Sequence, residues 1–352
     1  MTGKCERTGL VRRKTAGFAV ALAVLGATSS GVSARQDGSV VATPAVRADQ
    51  AGNSNHYRWI TLGTMGGPRL SLDRAQPANL LLNGTQAHLI DAGDGAATEA
   101  FAAGAQFQML RSIWISHIHF DHIGGLSAVL GLRLQVRTMT PLTIFGPPGI
   151  KGIVDDLIAA MRPSAELGYG VPGEVPLDPA AGIKVVEVND GSVVNFDGFT
   201  VKVARNCHCS FPPGSAGDLK FRSLSFRFDL PGRSIVYTGD TGPCDSVERL
   251  AQGADLLVTE LIDIEDTVNK MRLWYPDIPA SELDKMEEHL RTHHLTTAEI
   301  GRMAASAHVG EVVATHIAGG GNAKAIADGG YVAEIHRFYN GPVTVAKDGE
   351  AF

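Results

Sequence analysis

The chain has 352 residues, 44% of them hydrophobic and 19% charged. That length suits one large domain or two ordinary ones, and the composition excludes a disordered chain, a coiled coil or a collagen-like repeat as the whole answer. Lys plus Arg number 31 against 37 Asp plus Glu, a net charge of −6, which argues against nucleic acid as a partner because polyphosphate chains favour basic surfaces.

Residues 1–34 read as an export signal. Lys4, Arg7, Arg12, Arg13 and Lys14 precede an apolar run from Gly17 to Ala27, and Val32-Ser33-Ala34 supplies small residues for cleavage. The run is about 11 residues, short of the roughly 20 a spanning helix needs, so no stable membrane span is expected. A periplasmic or secreted location follows, with the Arg12-Arg13 pair leaving the export route open. Cleavage would take the net charge from −6 to −10. Residues 35–55 read as a flexible leader and 56–352 as one domain. Cys5 leaves with the signal, and Cys207, Cys209 and Cys244 remain. Two readings stay open for them: small buried residues beside a site, or one bridge from Cys244 to either of the others.

Strand-like runs fall at 57–62, 79–82, 87–90, 112–116, 142–145, 183–188, 199–204, 223–228, 234–237, 256–259, 312–315 and 343–345. Helical periodicity marks 96–103, 150–161, 246–251, 297–307 and 332–338. Thr296 or Thr297 with Glu299 gives a helix-start signal. Strands interleaved with helices predict an α/β layered fold.

The chemistry concentrates in His117-Ile-His119-Phe-Asp121-His122, behind the apolar strand Ile113-Trp114-Ile115. In extended chain, His117 and His119 project to one side. Gly124-Gly125 then permits a tight turn. Three imidazoles and a carboxylate within six residues form a donor set suited to zinc.

These residues resemble the HxHxDH signature of the metallo-β-lactamase superfamily at every position. The resemblance implies a four-layer αββα sandwich. It also implies further ligands at strand ends, matched by His208 in Asn206-Cys-His-Cys, Asp240 in Thr238-Gly-Asp and His316 in Thr315-His-Ile. By that analogy His117, His119 and His208 hold one divalent cation and Asp121, His122 and His316 a second, with Asp240 bridging. Zinc is favoured, with manganese or iron as alternatives. Leu62-Gly-Thr-Met-Gly-Gly-Pro, Asp91-Ala-Gly-Asp-Gly and Phe145-Gly-Pro-Pro-Gly are similar to the ribonuclease Z and arylsulfatase-like branch. His294-Leu-Thr-Thr resembles that branch's histidine at a helix start, and Glu260 stands where its paired glutamate belongs. Thr259, Leu261, Ile262 and Leu295 depart from the pattern, and His293 competes for the role of His294.

The resemblance implies hydrolysis by a metal-bound hydroxide, with Asp121 orienting the water, His294 donating a proton to the leaving group and Glu260 orienting His294. Segment 166–179 is short, Gly/Pro-rich and acidic, unlike an arm that grips transfer RNA. With the acidic charge, this favours a small-molecule ester: a phosphodiester, sulfate ester or carboxylic ester. Two alternatives are ring opening of a β-lactam or lactone, and a metal-dependent binding protein without turnover. Trp59, Trp274, Tyr275 and Phe120 are expected to line an apolar pocket or to serve as core and interface aromatics. Segment 270–291 reads as a lid, a homodimer contact, or a surface helix and loop.

Overall fold

Apolar residues alternating along a strand need cover on both faces, and here both faces receive it. The computed structural model describes residues 57–319 and 329–352. The expected signal and leader lie outside the described residues. In β1 (Arg58–Gly63), Trp59 points to one side while Ile60 and Leu62 point to the other. In β4 (Leu110–Trp114), Trp114 and Ile113 divide in the same way. In β11 (Leu256–Ile262), Leu256 and Val258 face one layer, Leu257 and Leu261 another.

Two seven-stranded sheets result. The first runs β14 (Glu350–Ala351), β1, β2 (Ala78–Asn83), β3 (Gln86–Ile90), β4, β5 (Leu142–Gly146) and β6 (Ile183–Glu187). The second runs β13 (Val343–Val345), β12 (Glu311–Ala318), β11, β10 (Arg233–Tyr237), β9 (Leu224–Leu230), β8 (Phe199–Arg205) and β7 (Val193–Phe196). Strands β3 to β6 are mutually parallel, as are β10 to β13, while the remaining neighbours pair antiparallel.

Helices α1 (Ala96–Ala102), α3 (Leu126–Gln135) and α4 (Ile150–Leu167) cover the first sheet through Ala96, Val129, Leu130, Ile150 and Val154. Helices α6 (Asp245–Ala251), α9 (Thr297–Ser306) and Gly330–Ile335 cover the second through Val247, Ile300, Ala304 and Ile335. The expected αββα sandwich is therefore present. Between the sheets lies an aromatic layer. Trp114 stacks on Phe145 at 4.0 Å and meets Phe226 and Phe228 edge-on, both at 5.8 Å.

Local signals account for several boundaries. The Thr296 hydroxyl and Glu299 carboxylate form a reciprocal cap that starts α9. Helix α4 continues to Leu167, past the expected end at 161, with Pro163 inside it. The helical pattern missed α2 (Phe120–Ile123), α5 (Ala216–Lys220) and the start of α7 (Ile264–Trp274), while α8 (Ala280–His293) falls mostly in the segment for which a surface helix and loop was one reading. Segment 270–291 is the end of α7, a turn and the body of α8. Trp59 is fully buried in the inter-sheet layer, its indole N–H donating to Asn79, and so is a core residue rather than pocket lining. Phe120, Trp274 and Tyr275 are exposed. Among the described residues no helix is long and apolar enough to cross a membrane.

The Trp114→Ala variant removes the centre of the aromatic layer. It is expected to lose about 3–5 kcal/mol of stability, read as a lower denaturation midpoint at unchanged slope.

Candidate metal centre

The parallel strands of both sheets deliver their ends to one edge of the sandwich, where loops rather than ladders hold the chain. His117 and His119 follow β4, Asp121 and His122 lie in α2, His208 follows β8, Asp240 follows β10, and His316 lies near the end of β12. Their order in sequence is scattered, and their side chains converge.

Two donor clusters form. In the first, His119 Nδ1 lies 3.0 Å from His117 Nε2 and 3.0 Å from His208 Nε2. A ring nitrogen holds one proton or one lone pair, so this atom cannot satisfy both neighbours well. Burial holds His117 and His208 well below the usual imidazole range, leaving both neutral and able to ligate. In the second cluster, His316 Nε2 is 3.5 Å from Asp121 Oδ2 and 3.2 Å from Asp240 Oδ2, and His122 Nε2 is 3.3 Å from Asp240 Oδ1. Asp240 also stands 3.9 Å from His117 and 4.0 Å from His208, between the clusters.

The donor chemistry fits divalent cations. His122 Nε2, His316 Nε2 and Asp240 Oδ1 are buried with no hydrogen-bond partner, a costly state unless a cation is the intended partner. Burial disfavours charge on His122, yet Asp240, Asp91 and Asp121 push its pKa well above the usual range. The pocket therefore carries excess negative charge. Asp121 is held down at about 2: burial opposes its charge, but His122 and His316 outweigh that cost.

Asp91 is the functional residue whose role the sequence left unread. Its carboxylate accepts from the Ser116 backbone N–H at 2.7 Å, the Ser116 hydroxyl at 2.8 Å and the Tyr237 hydroxyl at 2.7 Å. It also meets His122 Nδ1 at 2.8 Å, fixing which ring nitrogen faces the cluster. The His293 carbonyl does the same for His208 Nδ1 at 3.1 Å. Asp91 and His316 both take left-handed backbone, at φ 56° and 44°, a strained state tolerated where a side chain must be aimed. The Gly67 backbone passes so near the Asp121 carboxylate that a Cβ there would collide with it. The Gly-Gly sequence after β1 thus serves the site.

Beside the two clusters, 4.9 Å ring to ring from His208 and 6.3 Å from His316, His294 Nδ1 meets Glu260 Oε2 at 2.6 Å, both buried. Burial disfavours the imidazolium, but the Glu260 carboxylate more than compensates and raises His294 to about 9. The Thr241 backbone N–H holds the other oxygen of Glu260. His293 turns away from this pair, toward His289. Cys207 and Cys244 form a disulfide that ties the His208 loop to the start of α6, and Cys209 remains a half-buried thiol.

Fold and donors together define a class: αββα enzymes with two adjoining metal positions at the strand ends. Residues 88–317 match the family model described as a beta-lactamase superfamily domain. Ribonuclease Z of Mycobacterium avium is 33% identical over 263 residues, covering 73% of this chain and 85% of that protein. Among solved structures, the metallo-beta-lactamase fold protein YhfI of Bacillus subtilis superposes with a TM-score of 0.59 at 20% identity, over 85% of this chain and all of that one. Human tRNase Z, short form, gives 0.55 at 20% identity, over 84% of this chain and 98% of its own. The chain belongs to the metallo-β-lactamase superfamily, close to ribonuclease Z. It is a metal-dependent hydrolase.

The relationship corrects one expectation. Net charge argued against nucleic acid as a partner, yet the relatives at 30–33% identity include proteins named ribonuclease Z. The physical reason is one of range. Net charge governs long-range, non-specific attraction, whereas a paired-cation pocket attracts one phosphate locally whatever the rest of the surface carries.

Asp91→Asn is expected to weaken the second cluster's hold on metal by about 10–100-fold while leaving the first loaded. Metal content after dialysis against a graded chelator series checks this, with two equivalents in the parent and one in the variant as the expected result.

Proposed function

We propose that the chain hydrolyses phosphodiester bonds, with a ribonucleotide chain as substrate class and two zinc ions as its resident metals. The observation that carries this reading is the buried His294–Glu260 pair beside the two donor clusters. An alkoxide leaving group needs a proton, and the buried imidazole held by Glu260 is placed to give one.

His117, His119 and His208 would hold one cation, Asp121, His122 and His316 the other, with Asp240 shared. Five imidazoles among seven donors favour zinc over manganese. When bound, such a pair lowers the pKa of water and neutralises charge growing on the phosphoryl oxygens. Asp121, ionised at neutral pH, accepts a hydrogen bond from the attacking water and orients it. Glu260 keeps the His294 Nδ1 proton fixed, so His294 Nε2 is the atom that releases a proton to the departing oxygen. The basic, apolar start at residues 1–34 and the disulfide both support export to an oxidising compartment.

His294→Ala is expected to keep its full metal content and to lose turnover, most with poor alkoxide leaving groups and least with nitrophenolate. Equal loss across leaving groups would refute the donor role. The pH dependence has a definite sign. The active form is protonated, so the rate falls as pH rises through the folded value near 9. In Glu260→Gln the largest opposition to burial is lost and only Asp240 and Asp121 still raise His294, so the alkaline limb moves to lower pH. Substrate class is tested on the metal-loaded protein with a nitrophenyl phosphodiester, sulfate, carboxylic ester, chromogenic β-lactam and a short RNA. Cleavage of the phosphodiester and RNA is the expected result; β-lactam turnover with silence on both would overturn it.

A further inference from the structure

A third imidazole cluster adjoins the metal centre and belongs to neither of the two donor groups. His289 and His293 sit four residues apart in the last turns of α8, so their side chains share one face of the helix. Their Nδ1 atoms approach to 2.8 Å, as close as the nitrogens in the first donor cluster. Nε2 of His293 is buried with no hydrogen-bond partner.

A simple imidazole–imidazole hydrogen bond does not resolve this. If His293 Nδ1 accepts the proton from His289, then His293 carries its own proton on Nε2, a buried donor without an acceptor. If His293 Nδ1 donates, Nε2 is a bare buried lone pair without a donor. Each tautomer leaves one group unsatisfied. A ring nitrogen of His289 also lies within 4.8 Å of ring nitrogens of His208 and His294. The His289 ring stands 5.3 Å from each of those two rings.

We propose that His289 and His293 form an accessory metal site, taking a third divalent cation of the imidazole-preferring kind, Zn2+, Ni2+ or Cu2+. Histidines at this spacing on one helical face are a metal-binding arrangement in their own right. The donor set holds no carboxylate, so it discriminates against Mg2+ and Mn2+, which favour oxygen. A cation bound there adjoins His294 and competes for the corner from which that side chain reaches substrate, so excess zinc slows turnover.

The test is a metal titration of the full chain already holding two equivalents of zinc, with Zn2+ and then Mg2+ as probes. Calorimetry and elemental analysis after equilibrium dialysis are expected to find a third zinc and no additional magnesium. His289→Gln and His293→Gln each lose the third equivalent and keep the first two, with unchanged far-ultraviolet circular dichroism. A parent saturating at two equivalents, or both variants still holding three, would overturn the proposal. His289→Gln is the primary variant; His293→Gln keeps the backbone carbonyl that meets His208 Nδ1 and serves as the second if the first fails to fold. Inhibition by excess zinc is expected to weaken in the same variants. That kinetic arm rests on the donor role of His294, and the binding arm does not. Loss of the third equivalent with inhibition intact would therefore uphold the site and overturn its competition with His294, whose donor role the leaving-group series tests on its own.

Discussion

Asp240 is the point on which the rest depends. A fully buried carboxylate faces His122 and His316 on one side and His117 and His208 on the other, with one oxygen lacking any hydrogen-bond partner. Buried ionised groups persist only when countercharge reaches them. Asp240 thus requires that the two donor clusters be adjacent and cationic in use, and the loops at that edge are shaped around the requirement. Gly67 leaves room for Asp121, and Asp91 anchors His122.

The layer beneath makes this possible. Trp114 and the other aromatics lock the sheets face to face. Asp91 then ties the two sheets chemically, since it follows β3 in one and receives the hydroxyl of Tyr237 from β10 in the other. A carboxylate holding Ser116, Tyr237 and His122 together is both a structural clasp and the group that selects a histidine tautomer. Packing and chemistry meet in one side chain.

The sequence carried much of this in readable form. His117, His119, Asp121 and His122 sit together because a strand ends and a turn begins, which periodicity and the Gly pair display directly. His208, Asp240 and His316 could be placed only through resemblance, since nothing local says that residues 89 or more positions apart will share a cation. The role of Asp91 stayed hidden for a different reason: an aspartate after a strand looks alike whether it caps a turn or orients a ligand. Short α2 and α5 offer too few turns for a period to emerge, and α8 is polar along most of its length. Trp59 stayed open between pocket and core, because an aromatic near a site and an aromatic in the core have the same letter. Net charge misled on nucleic acid because it sums the whole surface, and a pocket answers only to its own walls.

His117, His119, Asp121 and His122 come from the first sheet, whereas His208, Asp240 and His316 come from the second. The donor set therefore exists only while the two halves of the sandwich stay registered. Prying them apart would scatter the ligands, and filling the pocket resists the prying. Ion uptake and mechanical cohesion become two faces of a single equilibrium, so depleting the metal would loosen the seam between the halves as well as silence the chemistry.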